Sequence, residues 1–181
     1  MSVTLLIAAL LQAQTPGGFT PITPEECRAE RAAEGPVEAG DEAQCFVGWL
    51  YGPGVLESLE PLNRDVDRVF STETAAAIRA VRTRTLDGEP HPAFGADPLC
   101  QCQDPTGLIM TFLSTPYGGD DLAVSDVRFT FYPVYDAPVS EMTPEDVLGH
   151  RLVLRRQADG WRVHDIIMPE VGYSFLASLA E

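Results

Sequence analysis

Residues 150–167 constrain the fold of this chain more than any other stretch. Residues 150–156 alternate like a strand, Ala158-Asp159-Gly160 makes a tight turn, and residues 161–167 alternate again. Two alternating runs joined through Asp-Gly predict a β-hairpin, because glycine tolerates the backbone that a tight turn requires. A hairpin fixes which residues share a face. On its second strand, simple alternation puts Trp161, Val163, Asp165 and Ile167 on one side, so a carboxylate sits among apolar neighbours. Such a group is either satisfied by internal donors or belongs to a pocket. His164 points to the opposite face, so no Asp–His pair is legible. Residues 174–181 read as a short closing helix with Ser174 as its cap.

Upstream of the hairpin the periodicity is first helical. Thr23 as N-cap and Pro24 in the first turn predict a short helix ending before Gly35-Pro36. Asp41, with Gln44 three residues on, opens a second helix whose apolar stripe is Phe46, Val47, Leu50 and Tyr51. Gly52-Pro53-Gly54 stops it. A further helical segment falls within 62–70. Ser71 caps a helix over 72–85 with the stripe Thr74, Ala77, Ile78 and Val81. Its Arg79, Arg82 and Arg84 form a solvated face. Beyond the proline-containing loop 86–98 the pattern turns strand-like. Residues 108–113 are apolar on both faces, as in a central strand. In 124–132, Val127, Phe129 and Phe131 alternate with Arg128, Thr130 and Tyr132. Residues 116–121 make a turn, and 140–148 form an acidic connection. Helices followed by an antiparallel meander predict an α+β fold, with N-terminal helices packed on a curved, cone-like sheet and a short C-terminal helix. A cone tends to hold a cavity at its open end.

Charge excludes some partners. The net charge is −15, and all twelve basic residues are arginine. Nucleic acid needs a basic stripe to replace counterions, and anionic lipid needs the same, so neither is expected as a partner. Residues 3–11 are an apolar run of signal-peptide length, with Ala13 as the cleavage point and no adjacent Cys for a lipid anchor. Export is therefore expected. The chain divides into a signal peptide at 1–13, an acidic Pro/Gly-rich segment at 14–40 and one α+β cone-like domain at 41–181. The cysteines Cys27, Cys45, Cys100 and Cys102 fit an oxidising space, and four cysteines allow three pairings. Cys27 with Cys45 is preferred, which leaves Cys100 with Cys102 in a tight, reducible ring; cross-pairing stays open. His91, His150 and His164 have no ligand-like spacing to these cysteines, so no metal and no cofactor is expected.

Phe70-Ser71 before a helix, Asp97-Pro98-Leu99, Gln103-Asp104, the run Gly160-Trp161-Arg162-Val163-His164-Asp165-Ile166 and the terminal Ser174-Phe175-Leu176 together resemble a bacterial family of small exported proteins and lipoproteins of unknown function. The resemblance covers roughly residues 41 to 181. It implies a nuclear-transport-factor-2-like cone and an envelope location. It implies no reaction, because that fold hosts enzymes, binding modules and inert scaffolds alike.

The residues to weigh for a site are Asp97, Gln103, Asp104, Trp161 and Asp165. If the segment around Cys100 leads into the sheet, Gln103 and Asp104 lie at the core's edge, and Asp165 reaches them from a neighbouring strand. A carboxyl isolated in a cone can act as a proton-transfer base. The plainer reading is that Asp165 bonds backbone amides or Arg and pins the hairpin to the loop 97–104. No phosphate loop, nucleophile elbow or His-Glu-x-x-His motif is present. The sequence thus reads as an exported, non-enzymatic binding module of the bacterial envelope, contacting an envelope protein or a small ligand. One alternative is a small-molecule-binding or weakly catalytic cone protein using Asp165 and Asp104. Another is an immunity-type inhibitor that meets a basic effector through its acidic surface.

Overall fold

The computed structural model describes residues 22–84, 91–105, 108–114, 117–131 and 148–180. The apolar run at 3–11, its cleavage point and most of the connection at 140–148 lie outside the described residues. Among those residues the helices come first: α1 (Pro24–Glu34), α2 (Ala39–Leu50), α3 (Val55–Ser58), α4 (Val66–Val69) and α5 (Thr72–Arg84). The strands follow: β1 (Leu108–Leu113), β2 (Tyr117–Gly118), β3 (Leu122–Phe131), β4 (Leu148–Gln157), β5 (Gly160–Met168) and β6 (Tyr173–Ser174). A closing helix, α6 (Phe175–Ser178), ends the fold. N-terminal helices pack on an antiparallel sheet, as expected. No helix among the described residues is long and apolar enough to cross a membrane.

The helix ends show why these segments are helical. At α1, Thr23 Oγ1 accepts the Glu26 N–H at 3.2 Å, and the Glu26 carboxylate accepts the Thr23 N–H at 2.8 Å. Each satisfies a backbone donor that the first turn leaves free. The start of α2 differs from expectation. Asp41 does not open the helix but sits in its first turn, where its carboxylate accepts the Glu38 N–H at 3.1 Å. The helix therefore begins two residues earlier. Arg31 of α1 bonds Asp41 at 2.7 Å and Gln44 at 2.9 Å, so Gln44 is committed to α1 rather than to a capping box.

Helix α1 buries no residue, so apolar packing does not hold it in place. The Cys27–Cys45 disulfide and the Arg31 bonds tie it to α2. In the chain-entropy picture a crosslink spanning 18 residues is worth about 3 kcal/mol. Replacing both Cys27 and Cys45 with serine is expected to weaken the docking of α1 by about that amount. Hydrogen exchange should then be fast at the α1 amides and unchanged in β4 and β5. Unaltered protection of α1 would show that the crosslink is not what holds it.

The core lies between the helices and one sheet face. Helix α2 contributes Phe46, Val47, Trp49 and Leu50, and α5 contributes Ala75, Ile78 and Val81. Phe129 from β3 stacks on Tyr51 with ring centroids 6.0 Å apart, and Phe70 meets Phe175 of α6 at 5.6 Å. Arg68 lies over the Trp49 ring at 4.6 Å, and Arg156 of β4 pairs with Glu42 of α2 at 2.7 Å. The sheet runs β1-β3-β4-β5-β6, with β2 also paired to β3. β1 therefore ends the path instead of lying in the middle of the sheet, as its apolar character suggested.

The final hairpin forms as expected, with Gln157 paired to Gly160 and a φ of 122° at Gly160 that suits glycine. The face assignment does not hold along the whole of β5. Val163 pairs with Leu154, and Asp165 pairs with Val153, so His164 is an extra residue on β5. This bulge shifts the alternation by one. Trp161, Val163 and Ile166 are buried, whereas Asp165 and Ile167 are not. A second irregularity in β1, between Met110 and Phe112, bends the sheet again.

Candidate functional site

The loop 91–105 crosses the end of the sheet and carries most of the chemistry. Pro92 opens a short 3₁₀ turn, Pro92–Phe94, and the His91 ring accepts the Ala93 N–H at 3.2 Å. Asp97 then organises the next turn. Its carboxylate accepts the Leu99 N–H at 2.8 Å, the local bond that Asp favours in turns. Its carbonyl accepts the Gln101 N–H at 2.7 Å, and its own N–H donates to the Cys102 carbonyl at 2.8 Å. The Cys100–Cys102 disulfide closes the turn, and Gln101 between them has φ 54°.

Beneath this loop is a small buried polar group. The Tyr51 hydroxyl donates to the Leu99 carbonyl at 2.7 Å. Burial, reinforced by the Asp97 charge, drives the Tyr51 phenol far above its usual range, so it stays protonated. The His150 ring packs edge-on to Phe129 at 5.1 Å and is only 4% exposed. Burial pushes its pKa down to about 4, with a backbone hydrogen bond to Leu99 opposing the shift. The ring is thus neutral at pH 7. Its Nδ1 and the Trp161 Nε1 are buried without a hydrogen-bond partner among the described residues. Burial raises the Asp97 carboxyl above the ordinary carboxylate range, and the Leu99 amide draws it part of the way back.

Two open grooves flank Asp97. One, of about 270 Å³, is lined by Ala93, Pro98, Gln101, Val171 and Tyr173 as well as Asp97. The other, of about 410 Å³, runs between Leu62, Asn63, Phe94 and Gln103, again with Asp97. Neither enters the interior, where Leu99, Phe129, Leu152 and Val163 fill the space behind the loop. Of the residues singled out from sequence, Asp97 and Gln103 share a groove. Asp104 is exposed on the same loop. Trp161 is a buried core residue at the turn end of β5.

Asp165 lies elsewhere. Its Oδ1 accepts the N–H of Ile166 and of Leu176, both at 2.8 Å, and its Oδ2 accepts the Ser174 hydroxyl at 2.7 Å. It bonds backbone amides, as the plainer reading has it, but it fastens β5 to the start of α6 and not to the loop 97–104. The cause is the bulge, which turns this carboxylate away from the apolar face.

Sequence reading took Ser71 as a helix cap and missed its second partner. Ser71 Oγ does receive the Thr74 N–H at 3.4 Å, and it also meets His164 Nδ1 at 3.0 Å. His164 Nε2 is 4.0 Å from the Glu73 carboxylate. The arrangement has the composition of a hydroxyl–imidazole–carboxylate relay, but Ser71 is 1% exposed and Thr74 fully buried. Its chemistry is structural. The bulge removes His164 from the strand ladder, and the Thr74 hydroxyl takes the His164 carbonyl at 2.5 Å. The signal available in sequence was Ser-x-x-Thr at a helix start, which marks the cap but not the strand that it meets.

Among the described residues, no three or more His, Cys, Asp or Glu side chains stand where they could hold a metal ion. Compared with known protein families, curated proteins and solved structures, the chain matches none.

Proposed function

We propose that this chain is an exported, non-enzymatic binding module of the bacterial cell envelope, and that the loop 91–105 is its contact surface. One observation carries the reading: two solvent-open grooves meet at Asp97 over an interior filled with side chains. An occupant of such grooves is held at the surface and not enclosed, which suits recognition better than chemistry that must exclude water. Two disulfides and no free cysteine among the described residues support an oxidising compartment. The apolar run at 3–11 supports export, and the expected mature chain begins at Gln14 in the envelope fraction. The nuclear-transport-factor-2-like cone remains the fold family that this reading favours.

A photo-crosslinking residue at Ala96, between the grooves, is expected to capture an envelope component. The same residue at Glu30, exposed on α1, should capture none. Gln103→Trp, which fills one groove, should abolish the adduct at Ala96. Equal capture at both positions, or capture that ignores the Trp, would defeat the proposal. The alternative of a small-molecule-binding or weakly catalytic protein finds support at Asp97, whose carboxyl is raised by burial. It gains little from Asp165, because both oxygens of that side chain are already engaged.

A further inference from the structure

The two disulfides do different work. Cys27–Cys45 joins two helices across 18 residues, whereas Cys100–Cys102 encloses a single residue. Closing so small a ring leaves the enclosed backbone little choice. Gln101 sits at φ 54°, the one non-glycine residue with positive φ among those described. A side chain in that region persists where its surroundings leave no alternative. Here the crosslink and the Asp97 backbone bonds on either side of it supply the constraint. The two sulfurs also differ in access. Cys100 is fully buried, Cys102 is half-buried, and Gln101 between them is exposed. A groove reaches the loop at Gln101, so an incoming group can approach from that side.

We propose that Cys100–Cys102 is a thiol–disulfide exchange site that takes electrons from a dithiol, and that the attacked atom is Cys102 Sγ. A thiolate of the dithiol approaches Cys102 in line with the S–S bond. A bond forms between the incoming sulfur and Cys102 Sγ, the Cys102–Cys100 bond breaks, and Cys100 leaves as a thiolate that takes up a proton. The second thiolate of the dithiol then attacks its own sulfur in the mixed disulfide and expels Cys102. The dithiol is oxidised to a disulfide by two electrons, and the Cys100/Cys102 pair is reduced by the same two. Opening the ring frees Gln101 to return to negative φ and loosens the Asp97–Cys102 bridge. Because Asp97 lines both grooves, the redox state of this pair sets their shape. This goes beyond the binding reading and does not depend on it.

The test uses the intact oxidised protein and two small thiols, dithiothreitol and glutathione, with quenched alkylation and peptide mass mapping. Cys100–Cys102 is expected to open at least tenfold faster than Cys27–Cys45 in the folded protein, and the glutathione adduct should map to Cys102. Equal rates, or Cys27–Cys45 opening first, would overturn the proposal. An adduct on Cys100 would overturn the direction of attack. A second measurement needs no reduction. Cys100→Ser leaves a lone thiol at Cys102, expected to react with maleimide at least tenfold faster than the lone Cys100 thiol in Cys102→Ser. The reverse order would also defeat the assignment. No envelope partner enters these measurements, so their outcome is separable from that of the crosslinking experiment.

Discussion

Asp165→Ala is expected to lower the unfolding free energy by about 2–3 kcal/mol, and the thermal midpoint by roughly 4–12 °C for a chain of this size. The carboxylate accepts two backbone N–H groups and one hydroxyl, and these come from both sides of the β5–α6 junction. Alanine leaves the Leu176 amide without its acceptor at the first turn of α6, a helix of only four residues that cannot hold itself. Phe175, fully buried against Phe70, depends on that helix staying in place. Asp165→Asn keeps one oxygen for the two amides and should cost less than half as much. Thermal melts of the two variants, with hydrogen exchange at Leu176 and Ala177, make the comparison. An unchanged midpoint in the alanine variant would refute the capping role.

The second large effect is on acid stability. His150 is buried with its pKa held down to about 4, whereas an unfolded histidine titrates near 6.5. Between those values the unfolded chain binds a proton that the folded chain refuses. Stability contributed by this residue is therefore complete above about pH 6.5, falls as the pH drops, and is gone below about pH 4. The full loss is about 3 kcal/mol. His164, whose pKa burial also lowers, acts in the same direction. Asp97 acts in the opposite one, because its raised pKa makes the folded state the better proton acceptor toward the acid end of the range. Urea unfolding at pH 7.5 and pH 4 should show the wild type losing about 3 kcal/mol more than His150→Gln over that interval. Parallel losses would mean that His150 does not refuse the proton.

Local signals carried much of this fold. Thr23, Pro24 and Glu26 mark the start of α1 because the cap bonds are made within four residues. Phe46, Val47, Leu50 and Tyr51 are all buried, as their spacing along α2 requires. The disulfide pairing agrees with the preferred one. What was not legible depends on residues distant in sequence. The bulge at His164 is stabilised by Ser71 and Thr74, some ninety positions earlier. Alternation alone has no term for that contact, so it placed Asp165 on the wrong face. For the site, Asp97 and Gln103 were recognisable, but Tyr51 and His150 were not. Tyr51 reads as one more apolar position in a helical stripe, and His150 as the first residue of a strand. Only the folded chain brings both to the Leu99 backbone.

The extra residue in β5 also governs how this chain can vary over time. Deleting a single codon at His164 would restore a regular strand and rotate everything after it by half a turn. Ile166 would then face water, and Asp165 would point into the hydrocarbon interior, far from the amides of the last helix. Substitutions along this strand are comparatively free, whereas changes in its length are not. Descendants of this gene should therefore keep a constant number of residues between the Gly160 turn and Ser174, even where few of the letters survive.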